Sequence, residues 1–163
     1  PSGKAAPPDP AQVGRHAAMK MVLPGARPVI APDPSLNRWH SAAVGQALWL
    51  SVNDPTATKR ESLTFMGQAV SLTARRNGLS FEMGDGHTVH CDATTPWSPS
   101  GSPSPTCGYT YQQAAPEGGY QVTAITSWDV TWSVLGHTGT VHIEKAGGQM
   151  LPVGELESVV TRR

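Results

Sequence analysis

The sequence is poor in charge and in long apolar runs, and each shortage excludes a class of protein. Charged residues make up 15% of the 163 residues, and the formal net charge is zero. Without a cluster of Lys and Arg, no nucleic-acid-binding surface is expected. No run of about 18 apolar residues occurs, so we expect no transmembrane span. Phosphate-binding glycine loops and nucleophile motifs are also missing, so we expect no cofactor and no enzymatic activity.

Only two cysteines occur, and the segment between them is not expected to become ordered by burial of apolar side chains. The segment between Cys91 and Cys107, DATTPWSPSGSPSPT, is rich in Pro, Ser and Thr. A disulfide closing such a loop would contribute about 3 kcal/mol in the chain-entropy model. We therefore predict a Cys91–Cys107 disulfide and a secreted or cell-surface protein, with two free thiols in a cytosolic protein as the alternative. Because the sequence begins at Pro1 without a signal peptide, we expect that one has been removed.

The first 45 residues are predicted to form a Pro-rich amino-terminal arm with one short helix. Residues 1–8, PSGKAAPP, indicate a flexible leader. Asp9 is a good N-cap, Pro10 a good first helical residue, and the following apolar residues recur at helical spacing, which predicts a helix over 10–22. Residues 26–38 carry several prolines and can add at most an edge strand. Whether this arm packs on its own domain or on another chain stays open.

From residue 46 the pattern changes to the period of two that is typical of strands, and it predicts a β-sandwich over residues 46–163. Residues 120–134, YQVTAITSWDVTWSV, alternate almost without exception. Because fifteen extended residues span about 50 Å, we predict a bend or bulge near Thr126 and Ser127, or a hairpin that projects from the sandwich. Further strands are predicted within residues 46–52, 61–76, 78–83, 140–145 and 151–160.

Three short motifs resemble PKD domains, which have an Ig-like sandwich fold. They are F-E-M-G-D-G at 81–86, Y-T-Y at 109–111 and G-Y-Q-V-T at 119–123, in the order that the family shows. The family prefers Trp, Phe and His where this chain has Phe81, Met83 and Tyr109. The chain as a whole also resembles small exported proteins of actinobacteria that join such a module to a Pro-rich amino-terminal segment.

The resemblance implies a seven-stranded sandwich that is usually extracellular and serves as a spacer or interaction module. It implies structural rather than catalytic roles for the motif residues Phe81, Met83, Gly84, Asp85, Gly86, Tyr109, Tyr111, Gly119, Tyr120 and Val122. The residue types themselves also favour a structural role, because glycines beside Asp85 suit a tight corner. Tyr111 resembles the tyrosine that ties the corner of a sandwich.

Residues 82–92 contain the ligand types of two kinds of metal site. His87, His90 and Cys91 form H-x-x-H-C, whose residue types are zinc ligands, although a disulfide would remove the thiolate and no second cluster follows. Carboxylates at Glu82, Asp85 and Asp92 lie close together in the sequence and could bind calcium, but the D-x-D-x-D pattern is missing. We predict turn chemistry and no metal, and a metal-dependent enzyme on the His87/His90 loop is the least favoured alternative.

Trp97 is the best candidate for an exposed contact, because it lies between the two cysteines, outside the alternating apolar segments that predict the core. Trp128 and Trp132 fit the apolar face of a strand, and their pattern predicts core packing. A long hairpin and open strand edges suit strand addition. We therefore predict a non-enzymatic structural or interaction module that binds a protein partner or assembles with itself, and a carbohydrate-binding module using Trp97 is the alternative.

Overall fold

The computed structural model describes residues 8–155, which form an all-β protein with one short helix near the amino terminus. The fold class predicted from the sequence is therefore confirmed. Helix α1 spans Pro10–Lys20 and a 3₁₀ turn spans Pro34–Leu36. The strands within the described part are β1 Pro28–Ala31, β2 Ala42–Ala43, β3 Leu48–Val52, β4 Thr58–Phe65, β5 Gln68–Glu82, β6 Thr88–Cys91, β7 Gly108–Tyr109, β8 Tyr120–Val134, β9 His137–Leu151 and β10 Val153–Gly154.

The described residues separate into two compact units, each with its own buried core. Unit 1 comprises residues 8–23, 56–77 and 127–144, and unit 2 comprises residues 24–55, 78–126 and 145–155. Strands β5, β8 and β9 contribute residues to both units. Helix α1 thus belongs to unit 1 and β1 to unit 2.

In unit 1, α1 packs on the part of a five-stranded sheet in which the strand order is β4-β5-β8-β9. The Asp9 carboxylate accepts a hydrogen bond of 3.1 Å from the Ala11 N–H, and Pro10 opens the helix as predicted. The helix ends at Lys20, two residues earlier than predicted, because Met21 is extended. The shared core of this unit contains Val13, Ala17, Ala18, Met21, Leu23, Val70, Leu72, Ala74, Trp128, Val130, Trp132 and Val134.

Two glycines in unit 1 make room for the indole of Trp132. A Cβ atom on Gly14 of the helix would overlap the six-membered ring of Trp132, and a Cβ atom on Gly139 of β9 would overlap the indole from another side. Trp132 and Trp128 are both buried, as their alternation in the sequence predicts. The spacing between the helix and this sheet therefore depends on the absence of a side chain at Gly14.

Unit 2 is sandwich-like. Its small sheet has the antiparallel order β1-β3-β7, β2 pairs with β10 in parallel, and β6 pairs with the carboxyl-terminal part of β5. The predicted edge strand in residues 26–38 is β1, which pairs with β3 from Pro28↔Val52 to Ala31↔Trp49. The core of this unit contains Ile30, Ala42, Leu48, Leu50, Val52, Leu79, Phe81, Met83, Cys91, Cys107, Tyr111, Tyr120, Val122, Ala124, Leu151 and Val153.

Strand β8 contributes residues to both units, and its alternation continues through Thr126 and Ser127, where a bend or bulge was one of the two expectations. Its even-numbered residues are buried along the whole length from Tyr120 to Val134. The alternation shifts instead on β5, where the buried positions change from even at Ala74 to odd at Leu79. A long strand is tolerated because its two halves serve two different cores.

Two predictions concern segments that lie partly outside the described residues. Of the leader expected at residues 1–8, residues 1–7 lie outside the described part. The last strand expected within 151–160 is represented by the end of β9 and by β10, and residues 156–160 lie outside the described part. None of the helices that the structure describes has the length and apolar character needed to span a membrane.

Candidate functional site

The stretch Gly84-Asp85-Gly86 forms a tight corner between β5 and β6. Gly84 and Gly86 have φ angles of 83° and 94°, which residues that carry a side chain rarely adopt. A Cβ atom on Gly84 would lie 2.6 Å from the Gln121 carbonyl oxygen of the neighbouring strand. The His87 N–H donates to the Asp85 carboxylate over 3.1 Å and closes the corner. The residues therefore form the tight corner that the glycine pattern predicts.

A polar cluster joins this corner to the strand that carries the second motif. The Tyr109 hydroxyl donates to Asp85 Oδ2 over 2.5 Å and lies 3.0 Å from His87 Nδ1. The carboxylate of Asp85 is mostly buried, whereas His87 is largely exposed. Sequence analysis singled out all three residues but did not predict their mutual contact, because 23 positions separate Tyr109 from Gly86 and no local pattern records their approach.

The protonation states in this cluster are stabilised by its geometry. Burial alone would raise the pKa of Asp85, but the hydrogen bonds from Tyr109 and His87 outweigh it and hold the pKa below its ordinary value. Burial, and then the hydrogen bond to the Asp85 carboxylate, raise the pKa of Tyr109. Near neutral pH, Asp85 therefore stays ionised and Tyr109 stays protonated, which suits a fixed structural contact better than proton transfer.

Buried tyrosines connect the remaining motif residues. The Tyr111 hydroxyl donates to the Met83 carbonyl oxygen over 2.7 Å, and the Tyr111 ring stacks on Tyr120 with 4.6 Å between centroids. Burial raises the pKa of Tyr111, with a smaller contribution from the charge of Asp85. Gly119, with a φ of 98°, approaches the backbone at Leu151 so closely that a Cβ atom would overlap it. Phe81, Met83 and Val122 are fully buried beside these residues.

The predicted disulfide is present, with 5.6 Å between the Cα atoms of Cys91 and Cys107. It closes a loop over residues 92–106. The Trp49 indole N–H donates to the Ser102 carbonyl oxygen over 2.9 Å and anchors this loop to β3. Trp97 lies on the loop with 44% of its surface exposed, so the candidate contact residue of the sequence analysis is accessible.

A shallow pocket of about 300 Å³ opens between this loop and strands β3 and β7 of unit 2. Its walls contain a tyrosine ring, two hydroxyl side chains and small apolar residues, and no charged side chain. Such walls suit a neutral ligand or an apolar side chain of a partner. The lining residues are Ala47, Leu48, Pro103, Ser104, Gly108, Tyr109 and Thr110.

The metal-ligand pattern H-x-x-H-C is not assembled as a site. Cys91 is bonded to Cys107, His87 contacts Tyr109, and His90 is exposed on β6 opposite Ser80. Within residues 8–155, no three His, Cys, Asp or Glu side chains are grouped so that they could hold a metal ion. The Asp85 carboxylate accepts hydrogen bonds from the His87 N–H and the Tyr109 hydroxyl within the corner.

The loop from residue 32 to residue 41, between β1 and β2, presents apolar side chains that sequence analysis did not single out. Leu36 is 84% exposed and Trp39 is 41% exposed. The Arg38 guanidinium lies 5.6 Å from the centre of the Trp39 ring, within the range of a cation–π interaction. We call residues 32–41 the apolar loop.

The apolar loop is held by its own hydrogen bonds. The Asp33 carboxylate accepts from the Ser35 N–H over 2.9 Å and from the Ser35 hydroxyl over 2.8 Å, and these bonds lower the pKa of Asp33. Asn37 accepts from the Trp39 N–H over 2.9 Å and donates to the Ser41 carbonyl oxygen over 2.8 Å. The signal in the sequence was the pair Asp33 and Asn37, since both residue types favour such turns.

No family model, curated protein or solved structure significantly matches the chain. The geometry and chemistry of the described residues are therefore the basis for a functional interpretation.

Proposed function

We propose that the protein is an exported, non-enzymatic interaction module, PKD-like in unit 2, that binds another protein of an extracellular assembly through its apolar loop. The disulfide supports export, because such bonds persist in oxidising compartments. The three motifs support the PKD-like assignment, since they contact one another. The Tyr111–Met83 and Tyr109–Asp85 hydrogen bonds join the first two motifs, and the stacking of Tyr111 on Tyr120 joins the third.

The observation that carries this proposal is the exposure of Leu36 and Trp39 on a loop that forms its own hydrogen bonds. A loop that satisfies its polar groups internally loses little conformational entropy when it binds. Trp and Arg are also enriched among residues that dominate protein–protein binding energy. An exposed Leu beside Trp39 and Arg38 therefore favours a protein surface with an apolar recess as the partner.

Carbohydrate binding is the second candidate, and it depends on a different part of unit 2. Trp97 is exposed on the disulfide-closed loop among Ser, Thr and Pro residues, and the pocket beside Tyr109 offers hydroxyl groups. Sugars stack on aromatic rings and need hydrogen-bonding partners nearby. Trp39 suits this role less well, because Arg38 already lies over its ring.

Two matched variants separate these candidates. Leu36→Ser and Trp97→Ala each alter one exposed side chain, and each is tested against extracellular proteins and against insoluble cell-wall polysaccharide from the source. Loss of a protein partner with Leu36→Ser alone supports the apolar loop, whereas loss of polysaccharide binding with Trp97→Ala alone supports the carbohydrate alternative. Binding that neither change weakens would contradict both.

A further inference from the structure

The two edges of the sheet in unit 1 differ in how well they are protected from pairing with another strand. In the described part of the chain, β4 and β9 are the outer strands of the order β4-β5-β8-β9. An outer strand exposes unpaired N–H and C=O groups, and natural proteins usually blunt it with charge, proline or a bulge.

Strand β4 carries charged residues along its middle, whereas the unit 1 part of β9 carries one only at its end. The sequence of β4 is TKRESLTF, with Lys59, Arg60 and Glu61 in succession. Residues 137–144 of β9 read HTGTVHIE, with Glu144 as the last residue and no Lys, Arg, Asp or Pro. Thr138, Thr140, Val141 and Ile143 are β-branched and favour a strand. We call residues 138–144 the β9 edge.

The turn that precedes β9 determines which backbone groups the β9 edge directs outward. Leu135 and Gly136 have φ angles of 49° and 79°, the conformation of a two-residue type I′ turn. Such a turn makes Val134 and His137 a hydrogen-bonded pair, and hydrogen-bonded pairs then alternate along the hairpin. The N–H and C=O groups of the even-numbered residues from Thr138 to Glu144 therefore point away from β8.

Side-chain contacts agree with this pairing of β8 and β9. The hydroxyl oxygens of Thr131 and Thr140 lie 3.3 Å apart, and the Asp129 carboxylate contacts His142. Side chains approach each other most closely at pairs that exchange no backbone hydrogen bonds. The side chains of Thr140 and His142 thus contact residues of β8, whereas their backbone N–H and C=O groups remain available to another strand.

We infer that the β9 edge pairs with the β9 edge of a second copy of this chain, antiparallel and about a two-fold axis at Val141. The residues are self-complementary in this register. Thr140 lies opposite His142 of the second copy, and Thr138 lies opposite Glu144, so that no like charges meet. On the other face Gly139 lies opposite Ile143 of the second copy. Ile143 thus meets a residue without a side chain, over which the Trp132 indole lies.

Pairing of the two edges also covers apolar surface at the rim of unit 1. Val141 and Ile143 are partly buried side chains that pack against the core of this unit. Strand addition would give each of them a neighbour from the second copy while the outward backbone groups gain partners. Both gains apply to each copy, because a two-fold interface uses the same residues twice.

This inference rests on the proposed function only in that the protein works within an assembly, since the β9 edge belongs to unit 1 and the apolar loop to unit 2. Sedimentation equilibrium of the full chain over a range of concentrations tests it. Thr140→Pro removes an outward N–H and should raise the dissociation constant of the dimer at least about tenfold. Ser62→Pro is the matched control, because Ser62 holds the equivalent outward position on the protected β4 edge.

A second variant and a second measurement keep the test independent of folding. Thr140→Lys places a charge on the β9 edge without removing an N–H, and it should also dissociate the dimer. In the unaltered protein, the amides of Thr138, Thr140 and His142 should exchange hydrogen more slowly as concentration rises, while that of Val141 stays protected throughout. The inference is supported if both Thr140 variants are monomeric and Ser62→Pro is a dimer.

Other results would overturn it. A monomer at every concentration contradicts the inference, and so does a dimer that survives both changes at Thr140. Leu36→Ser should leave the dimer intact while it weakens binding to the protein partner of the apolar loop. Failure of the dimer and failure of the proposed function are therefore distinguished by separate measurements.

Discussion

Tyr111→Phe removes one hydroxyl from the corner of unit 2 and leaves the ring in place. The Tyr111 side chain is fully buried, and its hydroxyl donates over 2.7 Å to the carbonyl oxygen of the equally buried Met83. The phenyl ring would retain its stacking on Tyr120 and its edge contact with Tyr109, where the centroids are 4.9 Å apart. The measured change therefore isolates the hydrogen bond.

The expected loss follows from the carbonyl group that the variant leaves without its donor. A hydrogen bond contributes about 1 kcal/mol net, and a buried group left unsatisfied costs about 1–3 kcal/mol. We expect the free energy of unfolding to fall by about 1–3 kcal/mol, measured by urea denaturation with the disulfide intact and read from the midpoint at constant slope.

Tyr120→Phe is the control for the Tyr111 variant. The Tyr120 hydroxyl donates to carbonyl oxygens of Gln113 and Ala114, in a segment that is largely exposed, so water can replace the lost donor. The control should cost about 1 kcal/mol or less. A Tyr111→Phe variant as stable as the unaltered protein, or less affected than Tyr120→Phe, would refute the assignment of Tyr111 as the residue that ties the corner.

Three further changes test other parts of the structure. Gly14→Ala should destabilise the protein by about 1–3 kcal/mol in thermal or urea unfolding, because its methyl group overlaps Trp132; an unchanged stability would contradict the helix placement. Leu135→Asn should stabilise the protein by up to about 1 kcal/mol, because Asn tolerates the left-handed conformation, and a loss would argue against the type I′ turn. The lowered pKa of Asp85 means that its contribution is present above pH 3.8 and is lost as pH falls through the folded-state value, so Asp85→Asn should flatten the acid side of a stability–pH profile; equal profiles would contradict the Tyr109 contact.

Local patterns were sufficient for the start of the helix and for several strands, but not for the short strands β2, β6 and β7 or for the continuation of β9 beyond residue 145. Asp9 followed by Pro10 marks a helix start through capping and a fixed φ angle, and the structure confirms it. Alternation along residues 120–134 predicts β8, since a strand turns successive side chains to opposite faces. The corner at Asp85 was predictable for the same reason, because its glycines are required by local backbone angles.

Contacts between distant residues were not predictable in this way. The division into two units depends on which core each half of β8 joins, and the uninterrupted alternation of Thr126 and its neighbours contains no sign of that division. The apolar loop was missed because periodicity does not reveal the side-chain-to-backbone hydrogen bonds of Asp33 and Asn37. Those bonds, rather than burial, hold Leu36 and Trp39 in place.

The most direct test of the proposed function is the affinity of the apolar loop for its protein partner. A photoreactive residue at position 36 would first identify the partner in the medium or cell envelope of the source, and titration calorimetry with the purified partner would follow. We predict that Leu36→Ser weakens binding at least about tenfold, equivalent to about 1.4 kcal/mol, and that Leu135→Ser in unit 1 leaves it unchanged. Equal affinities for the unaltered protein and Leu36→Ser would contradict the proposal that this loop is the binding surface.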